Sequence, residues 1–331
     1  MRSSINGGCY RRLVRALITG IGGFVGRHLT NVLKANGDEV AGFDLASPAV
    51  PIGGVDDVHL GNIVIPAEVE RAVVDTAPDV IFHLAGAASV GASFGDPVGT
   101  WNVNLTGTLT LLEAVRRHRP STRVVCITSA EVYGLVSDAN LPVTEDTPLN
   151  PHSPYGASKA AADLAVRQYA AGFGMDTIAV RPFNHIGPGQ DPRFVVPSIA
   201  QQIAQGEHRG DALIRIAVGN LEPRRDFMDV RDVVQAYRSI AERGVAGAAY
   251  VVSTGRSLAI SEIVQSLAEL AHTPVEIISE AGRRREGEPL DLYGSAVKLT
   301  RDTGWTPKIA LRQTLIDTLD WWRSIAAQEE R

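Results

Sequence analysis

The sequence has little cysteine and no long hydrophobic run. Its two cysteines, Cys9 and Cys126, form neither a disulfide framework nor a metal-ligand spacing. Cys126 lies inside an apolar strand and reads as a small buried hydrophobe. No apolar stretch approaches the ~20 residues that a bilayer span needs. The net charge of −5 leaves no footprint for nucleic acid. Residues 1–12 carry Arg2, Arg11 and Arg12 but no apolar h-region, so they read as a loose tail and not a signal peptide. There is no internal repeat and no low-complexity segment. Together these absences point to a reducing cytoplasm. What remains is an ordinary globular composition over 331 residues, 44% hydrophobic and 21% charged, enough for one large domain or two unequal ones.

The first informative stretch is apolar, Leu13 to Thr19, and runs into Gly20-Ile21-Gly22-Gly23-Phe24-Val25-Gly26. A helix is expected from about Arg27 to Ala35, ended by Gly37. Strand, glycine turn and helix are the parts of a dinucleotide site: glycines let backbone approach a pyrophosphate, and the helix N-terminus faces the anion. The spacing, Gly20, Gly23 and Gly26, is G-x-x-G-x-x-G. The next strand, Glu39–Phe43, ends in Asp44, placed to bind both ribose hydroxyls of NAD and to repel a 2′-phosphate. The alternative is a solvated carboxylate at a strand end.

Further strands are expected at Val58–Leu60, Asp79–Ala85 and Arg123–Ser129, with helices at Pro66–Thr76 and about Val98–Arg117. Gly86-Ala87-Ala88-Ser89 forms a small-residue turn where a flat cofactor could pass. Nearly all-apolar strands alternating with helices predict a parallel sheet covered on both faces.

Ser129 ends its strand at the carboxyl edge, where open α/β sheets bind ligands. Glu131 and Tyr133-Gly134 follow. Ser153 is then a good N-cap and Pro154 suits a first helical position, so Tyr155 and Lys159 fall four apart on one helix face. A fixed ammonium beside a phenol is expected to lower the phenol pKa toward working pH, which suits transfer of a carbinol proton. Ser129 can bond the substrate oxygen while Lys159 holds the phenol and the cofactor ribose.

These motifs resemble the extended short-chain dehydrogenases/reductases of the nucleotide-sugar epimerase/dehydratase group. The resemblance rests on Gly20-x-x-Gly23-x-x-Gly26, His83-Leu84-Ala85, Asn104-x-x-Gly107-Thr108, Ser129-x-x-x-Tyr133-Gly134, Tyr155-x-x-x-Lys159 and Arg181-Pro182-Phe183-Asn184, in the family's order. The segments Arg181–Gln190, Val218–Asp232 and Gly294–Pro307 look most like the GDP-4-keto-6-deoxy-mannose reductases. The resemblance implies a Rossmann-type doubly wound parallel sheet over 13–182. It implies a smaller α/β part over 183–331 that mainly binds the nucleotide sugar and sends segments back to the first. It makes Ser129, Tyr155 and Lys159, with Glu131, the catalytic set. NAD, with NADP possible, would be held by Gly20, Gly23, Phe24, Val25, Gly26, Asp44, Asn62, Ile63, Leu84, Ala85, Gly86, Asn104, Tyr155 and Lys159. The sugar nucleotide, GDP-linked, would meet Ser89, Glu131, Asn184, Arg225 and Arg285, with the arginines as forks for its phosphates. No metal is implied. The family commonly dimerises through two helices per subunit, here about 98–117 and 154–171.

Three activities are compatible with this set: reduction of a 4-keto sugar nucleotide, epimerisation or 4,6-dehydration with recycled NAD, and non-enzymatic dinucleotide sensing. In dTDP-glucose dehydratases an acidic pair precedes the Tyr-Gly dipeptide. Here the pair is Ala130 and Glu131, so one carboxylate is missing. GDP-mannose 4,6-dehydratases manage with the glutamate alone, which keeps that reading open.

Overall fold

The structure is a computed structural model that describes residues 14–48, 51–55, 57–279 and 289–328. The N-terminal tail and the Arg283–Arg285 cluster lie outside these residues.

The first half alternates strand and helix: β1 (Arg15–Thr19), α1 (Phe24–Ala35), β2 (Glu39–Asp44), β3 (Asp57–Leu60), α2 (Pro66–Thr76) and β4 (Val80–His83). Two short helices follow, α3 (Val90–Gly95) and α4 (Pro97–Trp101), then a π-helical turn (Asn102–Thr106), α5 (Gly107–His118) and β5 (Arg123–Ile127). Two 3-10 turns (Ala130–Val132 and Asp138–Asn140) precede α6 (Pro154–Phe173) and β6 (Thr177–Pro182). The second half holds β7 (Asn184–Ile186), α7 (Val195–Arg209), β8 (Ile214–Val218), β9 (Arg224–Arg225), β10 (Phe227–Asp229), α8 (Val230–Arg243) and β11 (Ala249–Val252). It ends with β12 (Leu258–Ala259), α9 (Ile260–Glu269), β13 (Val275–Ser279), β14 (Asp291–Leu292), α10 (Val297–Thr303) and α11 (Leu311–Ala326).

Seven strands form one parallel sheet in the order β11-β6-β5-β4-β1-β2-β3. This is the doubly wound Rossmann arrangement. Strand order reverses between β1 and β4, and a ligand crevice opens at the carboxyl ends there. Both faces are covered, as a buried parallel sheet requires. One face packs Ile18, Phe82, Val125 and Val180 under α1 and α8 through Leu29, Val233 and Tyr237. The other packs Leu17, Ile81, Val124 and Ala179 under α2, α5 and α6 through Val73, Leu112 and Val166. β11 is supplied by the second half of the chain yet closes the edge of this sheet beside β6. A separate core forms where α7, α9 and α11 meet β8, around Ile203, Ile216, Leu267 and Leu319.

Two expected elements differ. The first helix begins at Phe24, not Arg27, because the turn at Gly23 passes directly into helical backbone. The helix expected over 98–117 is present as one continuous helical run, but with a π turn between α4 and α5. The π turn carries Asn104, whose buried amide is bound on both sides: Oδ1 accepts from Ala87 N at 2.9 Å and Nδ2 donates to Ser158 Oγ at 2.9 Å. A π turn shifts one side chain out of register.

Candidate active site

The cradle for a dinucleotide lies at the switch point. Gly20 has φ +72, and a Cβ there would sit 2.9 Å from Ala85 N, so the crossing of the two loops requires glycine. A Cβ on Gly26 would lie 2.5 Å from Ile21 O, so α1 seats against the loop only without a side chain there. The N-cap of α1 is Gly23, which supplies no capping side chain. The first N–H groups of α1, from Phe24 and Val25 onward, have no intrahelical acceptor and suit a pyrophosphate. Asp44 closes this cradle: Oδ2 accepts from Gly22 N at 2.8 Å and Oδ1 from Leu45 N at 2.8 Å. Asn62 is folded onto its own turn, with Oδ1 accepting from Val64 N and its N–H donating to Glu68 Oε2. Ile63 is 6% exposed and packs in the core beside Gly107, so only its backbone can face a ligand.

From β4, Leu84 N donates to Thr19 O and Ala85 N to Thr19 Oγ1. Gly86 is crowded by chemistry: a Cβ there would lie 2.8 Å from Asn104 Oδ1 and 3.2 Å from Lys159 Nζ. The missing side chain lets the loop lie directly against Asn104 and Lys159.

Beneath this loop runs a buried polar chain that sequence reasoning missed. Thr108 Oγ1 donates to Asn104 O at 2.6 Å and pairs with His83 Nε2 at 3.1 Å; His83 Nδ1 pairs with Thr19 Oγ1 at 2.8 Å. A hydroxyl donating to a carbonyl must accept from the ring, which puts the histidine proton on Nε2. Burial pushes the His83 pKa down to about 3, and the Lys159 charge adds to that.

The acid–base candidates converge from two elements. Ser129 lies two residues past the end of β5 and caps the first 3-10 turn, its Oγ accepting from Glu131 N at 3.1 Å. Ser153 caps α6 through Gly156 N at 3.0 Å, a bond whose loss costs ~1 kcal/mol, and Pro154 opens the helix. A Cβ on Gly156 would meet Glu131 O at 2.6 Å, so the glycine lets α6 lie against that turn. Tyr155 N is held by Ser93 Oγ at 3.2 Å. The Ser129 hydroxyl and the Glu131 charge both act on the Tyr155 phenol. Ser129, Tyr155 and Lys159 are each no more than 9% exposed.

One electrostatic expectation is overturned. Burial pushes the Tyr155 phenol up to about 12; the Ser129 hydrogen bond pulls it down and Glu131 pushes it up, and Lys159 is not among the causes. The reason is geometric. Lys159 Nζ donates to Ile127 O at 3.0 Å, and its own pKa is lowered by burial.

The residues expected to meet the sugar nucleotide are less uniform. Ser89 caps α3, accepting from Ala92 N at 3.1 Å. Asn184 is exposed at the start of β7. Arg225 is not a solvated arginine: it is 6% exposed, and Nη1 donates to Arg224 O and Pro289 O at 2.8 Å each. Arg285 lies outside the described residues. His185 stacks on Phe24, with ring centroids 6.2 Å apart and planes 8° from parallel, tying the glycine loop to the loop after β6. Among the described residues no group of three or more His, Cys, Asp or Glu could hold a metal ion, and no helix is long and apolar enough to cross a membrane.

A dinucleotide cradle opening beside a buried serine, tyrosine and lysine is the layout of an NAD(P)-dependent enzyme that interconverts a carbinol and a carbonyl. The comparisons narrow the class. The family model described as GDP-mannose 4,6 dehydratase matches residues 17–318. GDP-6-deoxy-D-mannose reductase of Pseudomonas aeruginosa is 37% identical, covering 95% of this chain and 99% of that protein. A UDP-glucose 4-epimerase of Mycolicibacterium smegmatis is 30% identical, covering 94% and 99%. Among solved structures, RMD from Pseudomonas aeruginosa complexed with NADPH superposes with a TM-score of 0.83 at 36% identity, covering 95% of this chain and 98% of that one. The UDP-glucose 4-epimerase of Thermus thermophilus in complex with NAD gives 0.82 at 30%, covering 93% and 99%. The chain belongs to the GDP-mannose 4,6-dehydratase family of extended short-chain dehydrogenases/reductases.

Proposed function

We propose that this enzyme reduces a GDP-4-keto-6-deoxy-hexose of the mannose type at C4, giving a GDP-6-deoxy-hexose such as GDP-rhamnose. The observation that carries the reading is the near full-length similarity to GDP-6-deoxy-D-mannose reductase. The cradle of Gly20, Gly23, Gly26, Asp44 and Gly86 would hold the dinucleotide, whose bound nicotinamide supplies the hydride. Tyr155 gives its proton to the oxygen at C4 as the carbonyl becomes a carbinol. A phenol held protonated by burial suits a donor. Ser129 bonds the same oxygen and orients it. Lys159, anchored to Ile127 O, places a cation beside Gly86, where it can bond the cofactor ribose and replenish the phenol proton. Asn184, Arg225 and Arg285 are assigned to the nucleotide diphosphate and Ser89 to the sugar.

A second reading, 4,6-dehydration of GDP-mannose, is favoured by Glu131, whose charge acts on the Tyr155 phenol and which could serve as the elimination base. Ala130 speaks against a dehydratase that uses paired carboxylates; it is 5% exposed, in the core beside Val132 and Tyr133. Glu131→Gln separates the two. A reductase retains substantial NADH-consuming activity on the keto sugar, whereas a dehydratase stops converting GDP-mannose.

We also assign a homodimer. Val98 and Trp101 on α4 and Leu164 and Phe173 on α6 are large apolar side chains left exposed, 38–77% accessible. Exposed apolar groups on these helices support pairing through the segments about 98–117 and 154–171. A cytoplasmic setting goes with this reading.

A further inference from the structure

We propose that Asp163 on the catalytic helix α6 and Arg181 on β6, a fully buried ion pair, are positioning residues that set the Tyr155 phenol against Ser129 and Glu131. The inference rests on the acid–base roles proposed above but not on which sugar is turned over.

Tyr155, Lys159 and Asp163 lie four apart on α6 and share its buried face. Tyr155 and Lys159 serve the site, and Asp163 is one turn deeper. Its carboxylate is 0% exposed and takes a bidentate fork from Arg181, Nε to Oδ2 at 2.8 Å and Nη2 to Oδ1 at 2.9 Å. Arg167 Nε adds 3.0 Å to Oδ1, from the same helix. The third arm of the fork turns the other way. Nη1 donates to Tyr133 Oη and to Glu145 O, each at 3.0 Å. Tyr133 stands two residues beyond Glu131 and passes its own proton to Thr144 O at 2.9 Å. Thr128, immediately before Ser129, sits 3.4 Å from Asp163 Oδ2 and donates to Val180 O at 2.8 Å. One guanidinium thus joins the helix that carries Tyr155 and Lys159 to the segment that carries Ser129 and Glu131.

Net stability is a poor reason for such a pair. Taking two charges out of water costs several kcal/mol per ion, and well-packed apolar replacements are often as stable. A planar fork with fixed donor directions instead defines distance and angle between the two elements it bridges. The register matters here because the Tyr155 phenol and the Ser129 hydroxyl come from these two elements and act on one another.

The test replaces the pair by apolar residues of similar length, Asp163→Leu with Arg181→Met. The double variant is expected to fold and bind NADH within a factor of about two of wild type, with kcat lower by roughly 100-fold, the scale of a misplaced reacting group. In a Ser129→Ala background the same change should cost much less, because one of the two groups it aligns is already gone. Wild-type kcat in the folded double variant would overturn the proposal. Should that variant fail to fold, Tyr133→Phe removes one arm of the junction without changing shape; it is expected to lower kcat with an unchanged NADH affinity, and unchanged kcat would overturn the proposal. A wild type inactive on the keto sugar refutes the reductase reading alone. The alignment is then read from a crystal structure of a variant: Ser129 Oγ moved away from the Tyr155 phenol supports it, and an unmoved pair overturns it.

Discussion

Lys159 donates to the carbonyl of Ile127 at 3.0 Å, so the ammonium is fixed to the strand end that leads into Ser129 and not to the Tyr155 phenol. In the absence of cofactor the phenol is governed by burial, which raises its pKa to about 12. A raised pKa favours the neutral phenol. The resulting stability is present below the unfolded value of ~10 and lost as pH rises through the folded value. Reduction should therefore show no loss from phenol ionisation through about pH 10, where an ordinary phenol would be half ionised. Tyr155→Phe should lose nearly all turnover and keep NADH affinity, measured by fluorescence titration beside stopped assays. A phenylalanine variant with most of the wild-type kcat would remove Tyr155 from proton transfer.

Asp44 holds Gly22 N with one carboxylate oxygen, so its charge stands at the lip of the cradle where an adenosine ribose would lie. The chain should bind NADH more tightly than NADPH, in contrast to a relative whose structure was solved with NADPH. Asp44→Asn should narrow that difference by removing the repulsion while keeping an oxygen for Gly22. Tighter NADPH binding by the wild type would contradict it.

His83 is buried neutral with its pKa near 3, against ~6.5 when unfolded. A depressed histidine pKa contributes stability above the unfolded value that is lost as pH falls below it. The cost at full protonation is on the order of 4–5 kcal/mol. His83→Gln cannot titrate, so its thermal midpoint should fall less steeply between about pH 6.5 and pH 4 than that of wild type. Parallel curves would show that His83 takes up its proton alike in the folded and unfolded chain, and would contradict the depressed pKa.

Much of the fold was legible because its signals are local. Gly20, Gly23 and Gly26 announce a turn that only glycine completes, and all-apolar strands announce a parallel sheet. Ser153 and Pro154 place the start of α6 to the residue. What could not be read depends on distant partners. The π turn exists because Asn104 binds Ala87 and Ser158, 17 and 54 residues away. The phenol's upward shift needs knowledge of burial, and spacing on a helix gives only proximity to Lys159. Arg181 stood in a recognised motif, but its function at Asp163 depends on how β6 meets α6. Arg225 likewise could be named from its motif and not seen to be buried.

The exposed apolar face on α4 and α6 should disappear from solvent in solution. Leu164→Asp, at a site 55% exposed in the monomer, should shift sedimentation from dimer toward monomer without unfolding the chain. An unchanged sedimentation coefficient, or a wild type that is already monomeric, would remove this face as the interface.

The central claim is net reduction, and cofactor stoichiometry tests it most directly. Purified enzyme is given GDP-4-keto-6-deoxy-mannose with NADH, and product mass is followed beside NADH absorbance. The account predicts one NADH consumed per sugar and a product two mass units heavier than the substrate. Conversion of GDP-mannose to the 4-keto-6-deoxy product with no net NADH loss, and no turnover of the keto sugar, would contradict it.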